Sequence, residues 1–577
     1  MLSLATVLRV LALLSLKESV YFDFLLWDER LYHTWAVMIA EGAFQSRAVY
    51  EFAPLPAYLF ALVYKLLSPD PLWVRLLNIL FGVTTCYLVY RIGHELGGRV
   101  MGLASCLLSA LFEPFILFSI VPLKASLSAC LFALVIYLLL AGMEKSSAII
   151  MLFLGLSLGF LLNVRPQSAI LVPLLPLIIL WHACKTGWRL KTTAIGIVVY
   201  AAGLAIAVSP FVIRNYRVSG QLALMASQSG FNLYLANDPR TEGPYFRPVP
   251  FASTSPFEQG VQFTIEASKR AGRKLTSGEA SSYWTGETVR AVLDQPAAAL
   301  WKLCQKTIVF FQEYQPANHY DIGFVSRFVP FFRFPFPWFS LVLSFGMAGM
   351  LLRIARCRKS LALGLVFLFY GLTQVLFFTT SRYRLPVLVV VIPFAAMGVF
   401  DLCRFLRGRQ WRPTALYACT VVLFSLVSAI PLPGKGDMTA YYNTHAIALD
   451  ACGFKDEAME YWEESSRMQG RYSEFANLSL AGKYMREGKM DRSLSYLDKI
   501  PDGSYAAALK YDLLGDILLH RRDVAAAVNA YERSLRIHSG QRNPRRKLIK
   551  LYWRLDRQRA LEEHEKLEYV SSFYEFP

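Results

Sequence analysis

Apolar runs of about 20 residues, the length needed to cross a bilayer as a helix, alternate with short polar stretches over most of the chain. They fall near 4–25, 72–93, 100–120, 122–141, 147–163, 166–182, 193–213, 335–353, 361–378, 386–405 and 413–431. The pattern predicts an all-α membrane bundle of about eleven transmembrane helices. Lys17 and Glu18 interrupt the first run, and 298–312 is ambiguous between a span and a surface helix. Residues 26–71 read as interfacial helices rather than a span. Asp28, Glu29, Glu41 and Glu51 interrupt them, and Pro54 and Pro56 break their pattern. Residues 214–334 form a second long connection. It holds polar helical stretches at 259–272 and 279–295 and a Pro- and Phe-rich re-entrant stretch at 331–338. Long ordered loops in a compact protein tend to carry function.

From about 440 the pattern changes to polar helices. Gly453-Phe454-Lys455-Asp456-Glu457-Ala458 recurs as Gly488-Lys489-Met490-Asp491-Arg492-Ser493, and more loosely as Arg521-Arg522-Asp523-Val524-Ala525. Tyr461, Tyr496 and Tyr531 follow these turns at a constant spacing. A period of roughly 34 residues is that of tetratricopeptide helical hairpins. Three or four such hairpins would stack into a small solenoid with a concave face, suited to docking a protein or glycan. The plainer alternative is a cap that stabilises the outer loops. The chain therefore divides into a membrane domain, 1–431, with loops 26–71 and 214–334, and a repeat domain, 432–577.

Composition agrees with the pattern. Of the 577 residues 55% are hydrophobic, and mean hydropathy is +0.37, values of a polytopic membrane protein. The net charge of +18 would suggest nucleic acid in a soluble chain. Here much of it sits in short loops, as topology determinants and lipid headgroup contacts, and no nucleic-acid partner is expected. The loops 185–191, 353–359 and 404–412 are strongly basic. Alternating from them puts the N-terminus in the cytoplasm, and 26–71, 214–334 and the repeat domain outside. The first run lacks a small-residue cleavage site and reads as an anchor. The nine cysteines form no CxxC pair, so neither a zinc site nor a disulfide framework is indicated.

Two adjacent carboxylates, Asp28 and Glu29, stand at the outer membrane boundary. Transfer to a hydroxyl needs a base near the acceptor, and often a cation on the leaving group. Neighbouring helical carboxylates point about 100° apart, so one could face an acceptor and the other a metal or a cationic side chain. The alternative is a solvated helix start. Five arginines lie at outer helix ends, against the topology rule: Arg165, Arg214, Arg217, Arg382 and Arg384. Singly each suits interfacial snorkelling. Together, beside two carboxylates and Lys124, they suit the phosphate of a membrane-embedded polyprenyl carrier. Asn232 and Asn237 lie in a turn-rich outer segment that could bind sugar hydroxyls or merely turn the chain. Glu113 is a carboxylate within an apolar run, a functional candidate on that ground. P-loop, G-x-G-x-x-G and H-E-x-x-H motifs are absent.

Asp28-Glu29-x-x-Tyr32-His33 after the first helix resembles the Asp-Glu element of GT-C membrane glycosyltransferases, the superfamily of protein O-mannosyltransferases and aminoarabinose transferases. Similar to stretches of bacterial members are Ala53-Pro54-Leu55-Pro56-Ala57-Tyr58 with Val74-Arg75-Leu76-Leu77-Asn78, and Ile213-Arg214-Asn215-Tyr216. So are Gly230 to Pro239 and Ser381-Arg382-Tyr383-Arg384-Leu385-Pro386. The resemblance covers about 20–430, and several bacterial members also carry C-terminal tetratricopeptide repeats. It implies inverting transfer from a polyprenyl-phosphate sugar to a hydroxyl of a lipid, glycan or protein, at the outer face of a bacterial cytoplasmic membrane. Asp28 would be the base, with Glu29 supporting it or binding a divalent metal ion. Arg214, Arg382, Arg384, Lys124 and Arg165 would meet the donor phosphate. Tyr32, His33, Glu113, Asn215, Asn232 and Asn237 would line the substrate site. Lys124 departs from the pattern, standing where many relatives have an acidic residue. Membrane lipids and an unidentified protein or glycan at the repeat domain are the further partners. Rival readings are a polymer ligase of the O-antigen type, a transporter and a membrane-anchored repeat scaffold. A transporter should show two matching halves with broken helices, which the sequence does not display.

Overall fold

The computed structural model describes all residues except 45–48, 221–227, 242, 315–319, 433–436, 469, 471 and 575–577. Among the described residues every regular element is helical. Among the described residues seven helices are long and apolar enough to cross a membrane: Pro71–Leu111, Ala125–Glu144, Pro166–Thr186, Leu190–Ser219, Arg358–Leu376, Ser381–Arg407 and Trp411–Ala429. The runs expected at 72–93 and 100–120 share the first of these. It bends at Gly98, whose φ of 81° and ψ of −175° suit glycine alone. The other expected spans correspond to the shorter apolar helices Ala148–Leu162 and Phe339–Ile354 and to Leu2–Lys17, which ends where Lys17 and Glu18 interrupt its run. The stretch at 298–312 forms Pro296–Phe311. Residues 26–71 form two helices, Trp27–Ala40 and Leu55–Leu66. The polar stretches of the second loop form Gln259–Ala271 and Ser277–Asp294.

Ser381–Arg407 is the central helix. It is apolar on all faces, as a helix buried on all sides must be. Every residue from Arg384 to Gly398 is buried, against Phe339–Ile354, Pro71–Leu111 and Ala125–Glu144. Lipid tails are as apolar as leucine, so close packing holds such helices together. Gly155 and Gly159 supply it where Ala148–Leu162 meets Leu190–Ser219; a Cβ at Gly155 would overlap the Tyr200 carbonyl.

The central helix also sets the two membrane faces. Arg382 stands at its start and Arg404 at its end, about 33 Å apart at 1.5 Å per residue, close to a bilayer core. At the Arg404 end Arg353 pairs with Asp401 at 2.8 Å and Lys359 pairs with Glu95 at 3.0 Å, gathering the basic loops. At the Arg382 end lie Asp28, Asn232 and the repeat helices. Reporter fusions at 240 and 450 are expected to give the same signal, opposite to fusions at 187 and 408. Opposite signals at 240 and 450 would contradict this architecture.

The repeats form four helical hairpins: Met438–Ala451 with Lys455–Arg467, Ser473–Arg486 with Met490–Asp498, Ala507–His520 with Val524–Ile537, and Asn543–Leu555 with Arg557–Ser571. The recurring turn has one conformation. Gly453, Gly488 and Arg522 all take positive φ, at 94°, 77° and 65°, which explains two glycines at that position. The first hairpin docks on the membrane domain. His445 Nδ1 lies 3.0 Å from the Tyr21 hydroxyl, and its ring stacks on Phe328 at 3.9 Å. Arg327 donates to the Tyr442 hydroxyl at 3.0 Å. At the other end of the solenoid, Gln262 of the second long connection donates to the Tyr574 hydroxyl at 3.2 Å.

Candidate active site

Asp28 and Glu29 occupy the first turn of Trp27–Ala40, where backbone N–H groups lack helical partners and the dipole favours negative charge. The two carboxylates divide sharply. Glu29 is fully buried; it accepts the Leu26 N–H at 3.1 Å and lies beside the charge of Arg75 and the Tyr320 hydroxyl. Asp28 lines a cavity of about 670 Å³. Trp27, just before it, has φ of 30°, a backbone conformation rare for a bulky residue, held only where surroundings enforce it. It too lines the cavity.

Arg382 Nη1 donates to Asp28 Oδ2 at 2.7 Å, across 354 positions of sequence. Both line the cavity, and the arginine side chain is 5% exposed against 18% for the aspartate. Arg165 is buried behind this pair. Its Nη2 donates to the Arg382 carbonyl at 3.4 Å, and its guanidinium covers the Tyr383 ring at 4.4 Å. Lys124 donates to the Tyr32 hydroxyl at 2.9 Å, which in turn donates to the Ala53 carbonyl at 3.2 Å. Lys124 feels the charges of Asp28, Arg165 and Arg382, and Arg165 feels that of Arg382. Two arginines around one carboxylate leave the group net positive, a field that draws anions, while burial and these arginines lower the Lys124 ammonium to about 7.

The remaining expected residues lie in different settings. Asn232 lines the cavity. Arg384 does not: it donates to the carbonyls of Gln312 at 2.8 Å, Tyr314 at 3.0 Å and Phe310 at 3.4 Å and stacks on Phe339 at 4.0 Å. It braces the loop that presents Tyr314 to the cavity. Asn237 accepts from buried Lys306 at 2.9 Å and donates to the Leu376 carbonyl at 2.8 Å. His33 Nδ1 lies 2.9 Å from the Tyr64 hydroxyl. Arg214 covers the Tyr50 ring at 4.2 Å, and Asn215 accepts the Tyr50 N–H at 3.3 Å. Glu113 opens the helix Glu113–Ile120 and is outside the cavity lining. Arg217 likewise stays outside the lining, exposed at the end of Leu190–Ser219.

Sequence reasoning missed the far wall. Tyr441, Asn443, Tyr472, Ser479 and Leu509 of the repeat hairpins face the same cavity as Asp28. Trp27 could have been suspected from its place beside Asp28. No sequence signal placed the solenoid over the site.

A divalent ion was expected to use Glu29. Among the described residues no three His, Cys, Asp or Glu side chains gather in a metal-binding group, and Glu29 is engaged with Leu26, Arg75 and Tyr320. The described residues around Asp28 do not fit a resident ion, and no step below is routed through one.

Burial, the largest effect, pushes the Glu29 carboxyl up to about 7 despite nearby Arg75. Burial also pushes Glu51 up to about 7. The folded chain therefore keeps protons that the unfolded chain releases near pH 4.3. The resulting stability is complete below that pH and is lost as pH rises through about 7. Glu29→Gln is expected to flatten part of this decline between about pH 4.3 and 7, with Glu51 retaining the rest. Detergent melting curves across pH check it; an unchanged slope would show that Glu29 is ionised in the fold.

The fold and this group of residues define a multi-pass membrane protein with an anion-attracting, net positive site built around one carboxylate at one face, covered by a helical-repeat domain. Residues 51–213 match the family model described as dolichyl-phosphate-mannose-protein mannosyltransferase, and 457–555 match a tetratricopeptide repeat-like domain. Residues 51–213 are thus similar to part of that mannosyltransferase family and 457–555 to tetratricopeptide repeats, in agreement with the resemblance read from the motifs. No curated protein matches the chain. Among solved structures, it is similar to the oligosaccharyltransferase AglB from Archaeoglobus fulgidus, in complex with an inhibitory peptide and a dolichol-phosphate. Identity is 14% and TM-score 0.40, covering 87% of this chain and 60% of that one. It is also similar to ArnT from Cupriavidus metallidurans bound to undecaprenyl phosphate, at 14% identity and TM-score 0.40, covering 92% and 79%.

Proposed function

We propose that the protein transfers a sugar from a polyprenyl-phosphate donor to a hydroxyl acceptor at the outer face of a bacterial cytoplasmic membrane, with the N-terminus in the cytoplasm and the repeats outside. The Asp28–Arg382 pair at the cavity carries this reading. An incoming phosphate competes with Asp28 for the Arg382 guanidinium, whose planar donors suit it. Arg165 adds positive charge to the same group, and an incoming phosphate would favour the charged form of Lys124, which burial otherwise lowers to about 7. Once Arg382 turns to the phosphate, Asp28 loses its cation and becomes a better base. The acceptor oxygen then attacks the anomeric carbon as its proton passes to Asp28. The bond from that carbon to the phosphate oxygen breaks, the configuration inverts, and polyprenyl phosphate leaves.

The test is incubation of the purified protein with a panel of polyprenyl-phosphate sugars, scoring consumption of each lipid. One member should be consumed. Consumption of none, with acceptors of all three chemical classes supplied, would overturn the reading.

A further inference from the structure

We infer that Pro296–Phe311 is a re-entrant helix immersed in the leaflet at the Arg382 end of the membrane domain, with Leu300, Trp301 and Cys304 against lipid acyl chains. This depends on the fold alone, not on the transferase reading. The amphipathic pattern of the helix is inverted. Lys302 and Lys306 are its only charges. Both are buried, 6% and 1% exposed, on one stripe with Gln305 and Val309. Leu300 and Trp301, each 62% exposed, share the opposite stripe with exposed Cys304. A helix bordered by water turns its apolar stripe to the core; this one turns it outward.

The inward polar stripe is satisfied by the protein. Lys302 donates to the carbonyls of Asp238 at 2.5 Å and Thr241 at 2.9 Å. Lys306 donates to the carbonyls of Ala236 at 3.3 Å and Leu376 at 3.0 Å. Ala236 and Leu376 lie in the last turns of Ser229–Asn237 and Arg358–Leu376, where the helix dipole favours a cation.

Successive contacts show the helix descending. Lys306 is level with Leu376, the end of a span. One turn later Phe310 packs on Gly371, where an added Cβ would lie 3.3 Å from its ring, and its ring centroid is 6.0 Å from that of Phe367. Along that span Gly371 and Phe367 lie about 7 and 13 Å below Leu376, at 1.5 Å per residue. Phe311 reaches Phe424 of Trp411–Ala429 at 5.4 Å. The chain then turns back without crossing. The Glu313 N–H donates to the Ser428 carbonyl at 3.2 Å, near the end of Trp411–Ala429, and Arg384 serves the carbonyls of Phe310, Gln312 and Tyr314. Irregular backbone at membrane depth needs such partners within the protein.

Lipid is the occupant that the neighbours specify. The helix packs on Arg358–Leu376 and Trp411–Ala429, two spans that leave Leu368, Leu372, Leu423 and Leu426 exposed to the bilayer. Its uncharged stripe extends that apolar surface, and a tryptophan near the membrane boundary suits the headgroup level.

The test places a nitroxide on single thiols of the full chain in nanodiscs, with the other exposed and half-exposed cysteines replaced by serine. One variant keeps Cys304. A second keeps Cys419, exposed within Trp411–Ala429, as the lipid reference. A third carries Glu457→Cys, at an exposed position of the first repeat hairpin, as the water reference. Collisions with oxygen, which partitions into acyl chains, are compared with collisions with a nickel chelate, which stays in water. Oxygen should exceed the chelate at Cys304, as at Cys419, and the order should reverse at Glu457→Cys. Leu300→Cys repeats the measurement one turn earlier, so the outcome does not hang on one labelled site. Chelate collisions dominant at Cys304 and Leu300→Cys would overturn immersion. Few collisions with either reagent would show that protein covers the stripe, and would overturn it as well.

Discussion

Asp28→Asn is expected to reduce sugar transfer about 10²–10⁴-fold, the contribution of a positioned general base, while the protein still binds its donor. The second half distinguishes a base from a structural carboxylate. Asp28 holds Arg382 at 2.7 Å, so it competes with the donor phosphate for that guanidinium. Removing its charge releases the guanidinium, and donor affinity should equal or exceed that of the wild type. Asp23→Asn is the control. Asp23 lies in the preceding helical turn Val20–Asp23 and should show a mild effect. Paired measurement of turnover and donor affinity in nanodiscs checks both. Near-normal turnover by Asp28→Asn would remove the base; lost affinity would give Asp28 a role in donor binding.

Arg382→Gln is expected to weaken donor-lipid binding by about one to two decades, since a charge-assisted contact is worth roughly 1.5–3 kcal/mol. Arg382→Lys should recover only part, because an ammonium cannot match the planar fork. A residue that only anchors the helix at the membrane surface would behave differently: Lys would substitute fully. Arg384 supplies the contrast. Its guanidinium is held by three backbone carbonyls, so Arg384→Gln should lower the melting temperature more than Arg382→Gln does. Donor affinity and melting curves of the Gln and Lys variants separate the two arginines. Equal effects at both positions would contradict the roles read from their partners.

The fold was legible because a membrane writes it in long apolar runs, and because repeats write theirs as a period. Gly453 and Gly488 announced the hairpin turns since both need positive φ. Span number was less legible: Gly98 joins two runs in one bent helix, and the charges at 17–18 shorten another. At the site, local spacing suggested the Asp28 and Arg382 ends but could not say that they meet, because their pairing is created by tertiary structure. Nor could it separate Asp28 from Glu29, whose difference is burial. Arg384 shows the limit of counting arginines at helix ends: one position from Tyr383, its side chain runs to the carbonyls of 310–314. The repeat wall of the cavity was illegible for the same reason, since nothing in a helical period tells which surface its concave face will cover.

The most direct measurement is release of polyprenyl phosphate from its sugar-linked form, quantified side by side for the wild type and Asp28→Asn in nanodiscs with acceptor present. The wild type is expected to release carrier and glycosylated acceptor stoichiometrically, and the variant neither above background, although the variant binds donor at least as tightly. Equal release by both proteins would contradict it.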